Sequence, residues 1–120
     1  MACRRTIVFV HSDDSFRTAV VTALEGEGYT VARYPDALAA MEALDGVQRV
    51  EVLITCVRFP EGKSNGVALA RMVKSRKPSI RAIFTAHPAM QEYVEDLGTF
   101  LTAPVAIPDL IAAVRKAISG

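Results

Sequence analysis

Short apolar runs rich in β-branched residues alternate along this chain with stretches whose apolar residues recur at helical spacing. The first run, at residues 7–10, is continuous, which is typical of a strand buried on both faces of a parallel sheet. We predict four further strands, at residues 29–34, 50–55, 80–85 and 99–102. Because a helical segment follows each strand after a short connection, the sequence predicts an α/β fold. Its five-stranded parallel sheet is doubly wound, in three α/β/α layers.

The predicted helices begin and end at residues that favour those positions. Ser12 or Asp13 can cap a first helix that ends near Gly26. A second helix is expected from Pro35 to Gly46, and a third over residues 66–75. A short fourth helix is predicted near residues 89–96, and a last helix has Pro108 in its first turn.

Length and composition favour a single globular domain over residues 1–120. Hydrophobic residues make up 51% of the chain, enough for a core, and 14 Lys and Arg against 13 Asp and Glu leave no broad basic field for nucleic acid. A local basic cluster is interpreted as a solvated helix end: Arg71, Lys74, Arg76, Lys77 and Arg81. No apolar run is long enough for a membrane span or a normal signal peptide, so a cytoplasmic location is expected.

In parallel sheets of this kind, ligands and chemistry collect at the carboxyl ends of the strands. The candidate site residues at those ends are His11, Ser12, Asp13, Cys56, Thr85, Ala103 and Pro104. Asp13 is interpreted first as a helix cap and only second as a metal ligand. Two cysteines, Cys3 and Cys56, indicate neither a disulfide framework nor a metal site.

Four segments in consistent order resemble the receiver domain of bacterial response regulators. Residues 7–17 resemble the first strand and turn of that family, where an acidic pair is followed four residues later by the arginine that Arg17 matches. Residues 51–66 resemble the third strand and its loop, with Pro60 and Gly66 at the family's landmark positions. Residues 83–86 are similar to the fourth strand, and residues 100–104 to the aromatic-x-x-Lys-Pro ending of the fifth.

The resemblance implies a flavodoxin-like, CheY-like fold whose phosphate-accepting pocket is degenerate. His11 and Ser12 occupy the positions of the acidic pair, Cys56 that of the acceptor aspartate, and Ala103 that of the lysine. Thr85 and Pro104 match the family pattern. With no acceptor carboxylate and no acidic pair, we expect Mg²⁺ binding to be weak or absent, and we expect no catalytic residue and no cofactor.

The resemblance also implies an interaction face built from the fourth helix, the fifth strand and the last helix. In this sequence that face would draw on Met90, Tyr93, Val94, Phe100, Ile107 and Leu110. The expected partner is a protein, namely a histidine kinase, an output domain or another signalling protein, and a homodimer through the same face is a further expectation. The leading hypothesis is therefore a pseudo-receiver that acts by phosphorylation-independent protein–protein interaction.

Two alternatives from other classes stay open. One is a receiver that switches by non-standard chemistry, through redox, metal or pH sensing at Cys56 and His11. The other is a small enzyme of flavodoxin-like architecture, against which stands the absence of a glycine-rich phosphate loop after the first strand.

Overall fold

The computed structural model describes residues 6–11, 13–35, 39–40, 50–56, 66–76, 79–86, 88–94, 97–102 and 105–119, without the side chains of residues 89, 90, 93 and 119. The strands are β1 (Thr6–Val10), β2 (Thr30–Tyr34), β3 (Val50–Cys56), β4 (Arg81–Ala86) and β5 (Thr99–Thr102). The helices are α1 (Asp14–Gly26), α2 (Gly66–Arg76) and α3 (Ile107–Ser119), with a 3₁₀ helix at Pro88–Tyr93. No helix in these ranges is long and apolar enough to cross a membrane.

All five strands pair in parallel, in the order β2-β1-β3-β4-β5. This order places β1, β3 and β4 inside the sheet and leaves β2 and β5 at its edges. These three inner strands each contain an unbroken run of at least four buried residues, as expected of strands that have neighbours on both sides. The predicted five-stranded parallel sheet is confirmed.

Each face of the sheet carries its own buried core, since successive strand residues point to opposite faces. Phe9 and Ile54 pack on one face with Leu24 of α1 and Leu110 of α3. On the other face, side chains of β1, β3 and β4 pack against α2: Val8, Leu53 and Phe84 with Leu69 and Val73. Helices on both faces make this the predicted doubly wound, three-layer arrangement.

The chain between β4 and β5 is shorter than a full helical crossover. The described part of the predicted fourth helix is a 3₁₀ helix of 6 residues, Pro88–Tyr93. Of the predicted second helix, Ala39 and Ala40 are helical, and the rest of that prediction lies outside the described residues.

Two of the residues named for the interaction face, Val94 and Leu110, are core residues. Both side chains are fully buried. Val94 follows the 3₁₀ helix and packs into the core on the α2 face, and Leu110 lies on the inner side of α3 in the opposite core. Burial of these aliphatic side chains stabilises the fold by about 2 kcal/mol each, which leaves them no surface to offer a partner.

Gly66 fits α2 tightly against the end of β3. A Cβ atom at this position would overlap with the carbonyl oxygen of Cys56 and come within 2.9 Å of the Thr55 hydroxyl. Both atoms belong to a buried strand that cannot shift without disturbing its ladder. The family-like glycine is therefore required by close backbone approach at the candidate site.

We expect Gly66→Ala to lower the free energy of unfolding by about 3 kcal/mol, because the overlap is with backbone in a packed region. Chemical denaturation followed by circular dichroism measures this change. Gly26→Ala is the matched control, since nothing lies within 4 Å of a Cβ there, and it should leave stability unchanged or slightly raised. Equal effects of the two substitutions would contradict the close approach at Gly66.

Candidate functional site

The pairing register brings His11, Cys56 and Thr85 to one level at the carboxyl edge of the sheet. Val10 pairs with Thr55, and Cys56 pairs with Thr85. His11 directly follows Val10, so it stands beside the end of β3. The three residues that stand at or beside the family's acceptor pocket thus form one row across β1, β3 and β4.

His11 is held on both its backbone and its ring. Its amide donates to the Tyr34 carbonyl oxygen at 3.2 Å, which extends the β1–β2 ladder by one residue. Its Nδ1 accepts a hydrogen bond from the Asp13 amide at 3.0 Å. The ring lies against Phe16, with centroids 4.9 Å apart, and faces Phe9 at 6.0 Å. The imidazole is therefore a packed structural element of the turn.

These contacts require a neutral imidazole. Because Nδ1 accepts from an amide, it must keep its lone pair, so the ring proton belongs on Nε2. Burial lowers the pKa of His11 below its ordinary value; Asp13 acts in the opposite direction, and Arg17 lowers the pKa further. Near neutral pH the end of β1 therefore carries no imidazolium charge.

Asp13 caps α1, as predicted. Its backbone is extended, and its Oδ1 accepts a hydrogen bond from the Phe16 amide at 2.9 Å. A cap of this kind stabilises a helix by about 1 kcal/mol. The carboxylate nearest the candidate pocket thus serves the first turn of the helix.

Arg17 binds the backbone and a carboxylate of the same turn. Its Nη1 donates to the His11 carbonyl oxygen at 2.5 Å, and its Nη2 forms an ion pair with Asp14. The Arg17 side chain is 14% exposed, which is low for a guanidinium and means that its cationic head is committed to local partners. The arginine that matches the family pattern is used here to fix the backbone after β1.

Cys56 and Thr85 are both buried, at 8% and 3% exposure. The Thr55 hydroxyl donates to the Cys56 carbonyl oxygen at 2.9 Å. The Thr85 hydroxyl has no hydrogen-bond partner in the described part of the structure. Burying a hydroxyl group without a hydrogen-bond partner costs about 1–3 kcal/mol.

Only some of the remaining predicted site residues lie in the part of the chain that the structure describes. Ser12, Ala103 and Pro104 lie outside the described residues, as do the side chains of Met90 and Tyr93. Phe100 is half-buried on β5 and packs against the core on the α2 face. Within the described ranges, no three His, Cys, Asp or Glu side chains cluster closely enough to hold a metal ion.

Known proteins with similar sequence or structure share this architecture. No protein-family model matches the sequence. The chain is 33% identical over 122 residues to the DNA-binding transcriptional regulator NtrC of Escherichia coli, across 97% of this chain and 25% of NtrC. It is 30% identical over 105 residues to the transcriptional regulatory protein CseB of Streptomyces avermitilis, across 78% of this chain and 43% of CseB. The crystal structure of a CheY-like response regulator receiver domain protein from Methanospirillum hungatei superposes with a TM-score of 0.86 at 17% identity, over 98% of this chain and 95% of that one.

The chain has the CheY-like fold of response-regulator receiver domains. It spans about a quarter of NtrC and less than half of CseB. The resemblance seen in four sequence segments therefore extends to the complete topology of the sheet.

Two contacts at this edge of the sheet could not be found from the sequence. The ring of Phe16 lies on His11, although the helical periodicity only marked Phe16 as apolar and inward-facing. Arg17 was matched to a family position, but its bond to the His11 carbonyl oxygen depends on the path of the turn. The spacing of six residues between His11 and Arg17 was the available signal for that second contact.

We expect the stability of the domain to fall as pH drops through the ordinary pKa of His11, about 6.5. Because the folded state lowers this pKa, the unfolded chain binds the proton more tightly and acid favours unfolding. The measurement is the fall in melting temperature between about pH 7.5 and about pH 5.5, compared between the parent domain and His11→Asn. The parent should lose more stability than the variant, which cannot titrate at this position; parallel pH profiles would contradict the burial argument.

We expect the Cys56 thiol to react slowly in the folded domain, because its side chain is buried and a reagent reaches it poorly. A Cys3→Ser variant makes Cys56 the only thiol. Its reaction with a colorimetric disulfide reagent should be slow in buffer and fast in denaturant. A reaction in buffer as fast as that of an unfolded-chain thiol would instead identify Cys56 as an activated cysteine.

Proposed function

We propose that this receiver domain acts in two-component-type signalling as a phosphorylation-independent, non-enzymatic protein-interaction module. The observation that carries the proposal is the row formed by His11, Cys56 and Thr85, in which no residue supplies a carboxylate. Phosphoryl transfer to a receiver needs an acidic acceptor and charge neutralisation around it. At the acceptor position this chain has a buried thiol.

The chemistry of the row also disfavours Mg²⁺. This ion requires hard oxygen ligands in near-octahedral geometry, and it binds imidazole and thiol groups poorly. Beside the row, Asp13 already caps α1 and Asp14 pairs with Arg17. A metal ion would have to take Asp13 from its cap, at a cost of about 1 kcal/mol of helix stability.

A neutral pocket is consistent with one constant conformation. In a switching receiver, a new charge at the acceptor changes the balance between two arrangements of the output face. Without an acceptor carboxylate, no phosphoryl group can change this balance, and a partner would recognise the same protein surface at all times. We therefore propose that partner binding depends on the amount and location of the domain and not on its phosphorylation.

For the partner we propose a histidine kinase, an output domain or another signalling protein in the cytoplasm, with homodimer formation through the same face as a variant of this proposal. Phe100 on β5 and Ile107 at the start of α3 are half-buried apolar residues that support such a contact. Aromatic side chains of this kind dominate the energetics of protein interfaces. We assign no nucleic-acid contact to the domain itself.

The redox, metal and pH alternatives rest on one observation, the Thr85 hydroxyl without a partner beside Cys56. An oxygen added to the thiol would give that hydroxyl an acceptor. Against this alternative stand the burial of Cys56 and the neutral state of His11, since a reactive thiolate needs nearby positive charge. The flavodoxin-like enzyme has no comparable support, because the turn between β1 and the Asp-capped α1 contains no glycine.

We expect the amide NMR spectrum of the labelled domain to be unchanged by Mg²⁺ with beryllofluoride, which mimics a phosphoryl group on a carboxylate. The amides to follow are those of Asp13, Cys56, Thr85 and Phe100, with a sodium fluoride sample of equal ionic strength as the reference. A positive control is the combined variant His11→Asp, Ser12→Asp, Cys56→Asp and Ala103→Lys, which restores the family's charged groups.

Saturable shifts of those amides in the parent protein would overturn the proposal and indicate a functioning phosphate switch. The combined variant separates loss of the charged groups from a wider loss of the pocket. If it responds to beryllofluoride while the parent does not, the missing charged groups alone explain why the amide signals of the parent do not shift. If neither protein responds, the pocket differs from that of a switching receiver in more than its charges, and the parent remains phosphorylation-independent.

A further inference from the structure

A second concave site lies at the opposite end of the sheet from the His11 row. It is a cavity of about 500 Å³ between the end of α2, the amino ends of β4 and β5, and the second half of α3. Its walls include Lys74, Arg81 and Lys116, and its floor includes Ala82 and Gly98. The volume falls in the range of small-molecule binding sites in proteins, about 300–1,000 Å³.

The cavity arises from the unequal lengths of two neighbouring strands. Ile83 of β4 pairs with Thr99, the first residue of β5, so Arg81 and Ala82 extend beyond the end of β5. Gly98 fills part of that step, and a Cβ there would overlap with the Ala82 carbonyl oxygen. The wall from α3 is lined by alanines, whose short side chains leave the space open: Ala112, Ala113 and Ala117.

The charged residues around this cavity share one sign. Lys74 comes from α2, Arg81 from β4 and Lys116 from α3, and no Asp or Glu is among the described residues that line it. Lys74 and Lys116 lie in the last turns of their helices, where cations offset the negative end of the helix dipole. Arg81 lies at the start of a strand and not at the end of a helix. Compensation of helix dipoles therefore does not explain the presence of all three cations.

We propose that this cavity binds a small phosphate-bearing anion, of the size and charge of a diphosphate group. Three cations from separate elements surround a compact space, and a diphosphate places several negative charges in that volume. A peptide carboxylate carries one charge per side chain and would need an extended acidic segment to match them. The guanidinium of Arg81 can engage phosphate oxygens in a fork, while the two lysines act as point charges.

The affinity is modest, because the cations are partly solvated and two helix dipoles oppose the anion. We expect a dissociation constant of about 0.1–1 mM for inorganic pyrophosphate, weakening with added salt. Such a site would add a small-molecule input to the domain at the end of the sheet remote from the His11 row. It is independent of the interaction function proposed above.

The test is titration of the labelled domain with sodium pyrophosphate at constant ionic strength, followed by amide NMR. We expect saturable shifts at Ala82, Gly98 and Thr99. Arg81→Gln and Lys74→Gln should each weaken binding about fivefold, as removal of one cation from a partly exposed site does. Arg71→Gln is the matched control, because Arg71 is exposed on α2 and does not line the cavity.

A steric variant adds a second readout. Ala112→Leu narrows the cavity without changing its charge, and leucine is well tolerated in a helix. Weaker pyrophosphate binding by this variant supports a ligand inside the cavity, and melting temperatures establish that each variant is folded. Unsaturable shifts, equal loss in Arg71→Gln, or tighter binding of a short polyglutamate peptide than of pyrophosphate would each overturn the proposal.

Discussion

The parallel pairing of β1, β3 and β4 in the middle of the sheet is the interaction on which the other parts of this domain depend. Residues 7–10 of β1 and 52–54 of β3 are fully buried, and a one-residue shift in register would turn each of their side chains to the opposite face of the sheet. That pairing sets where the strands end. It thereby brings His11, Cys56 and Thr85 to one level and places the first residue of α2 against the end of β3.

The described side chains at the carboxyl edge of the sheet suit the neutral pocket proposed above. Removing one charged partner from a buried cluster leaves the others unpaired, whereas replacing the whole cluster with neutral groups can be neutral or stabilising. Here the row is neutral, and the charged groups beside it, Asp13 and Arg17, are bound to the first turn of α1. Among the described residues, the Thr85 hydroxyl is a buried polar group at this edge without a hydrogen-bond partner.

The two ends of the sheet therefore differ in what they offer a ligand. At the carboxyl end, the described residues place the His11 ring against Phe9 and Phe16 and the start of α2 against the end of β3. The amino end, beside β5, has an open cavity with cations from three elements. The formal net charge of the domain is only +1. The cluster of cations at the amino end therefore comes from the positions at which the strands and helices begin and end.

The sequence by itself determined the fold class, because apolar β-branched runs followed by amphipathic segments admit few arrangements other than a parallel sheet covered on both faces. Local spacing also indicated that Asp13 could cap α1, whereas the placement of Cys56 at an acceptor position is what the resemblance to receiver domains implies. Tertiary structure decided that Val94, named for the interaction face, lies in the core. It also decided the neutral state of His11, the bond from Arg17 and the basic cavity, because each requires residues distant in sequence or a particular backbone path to meet in space.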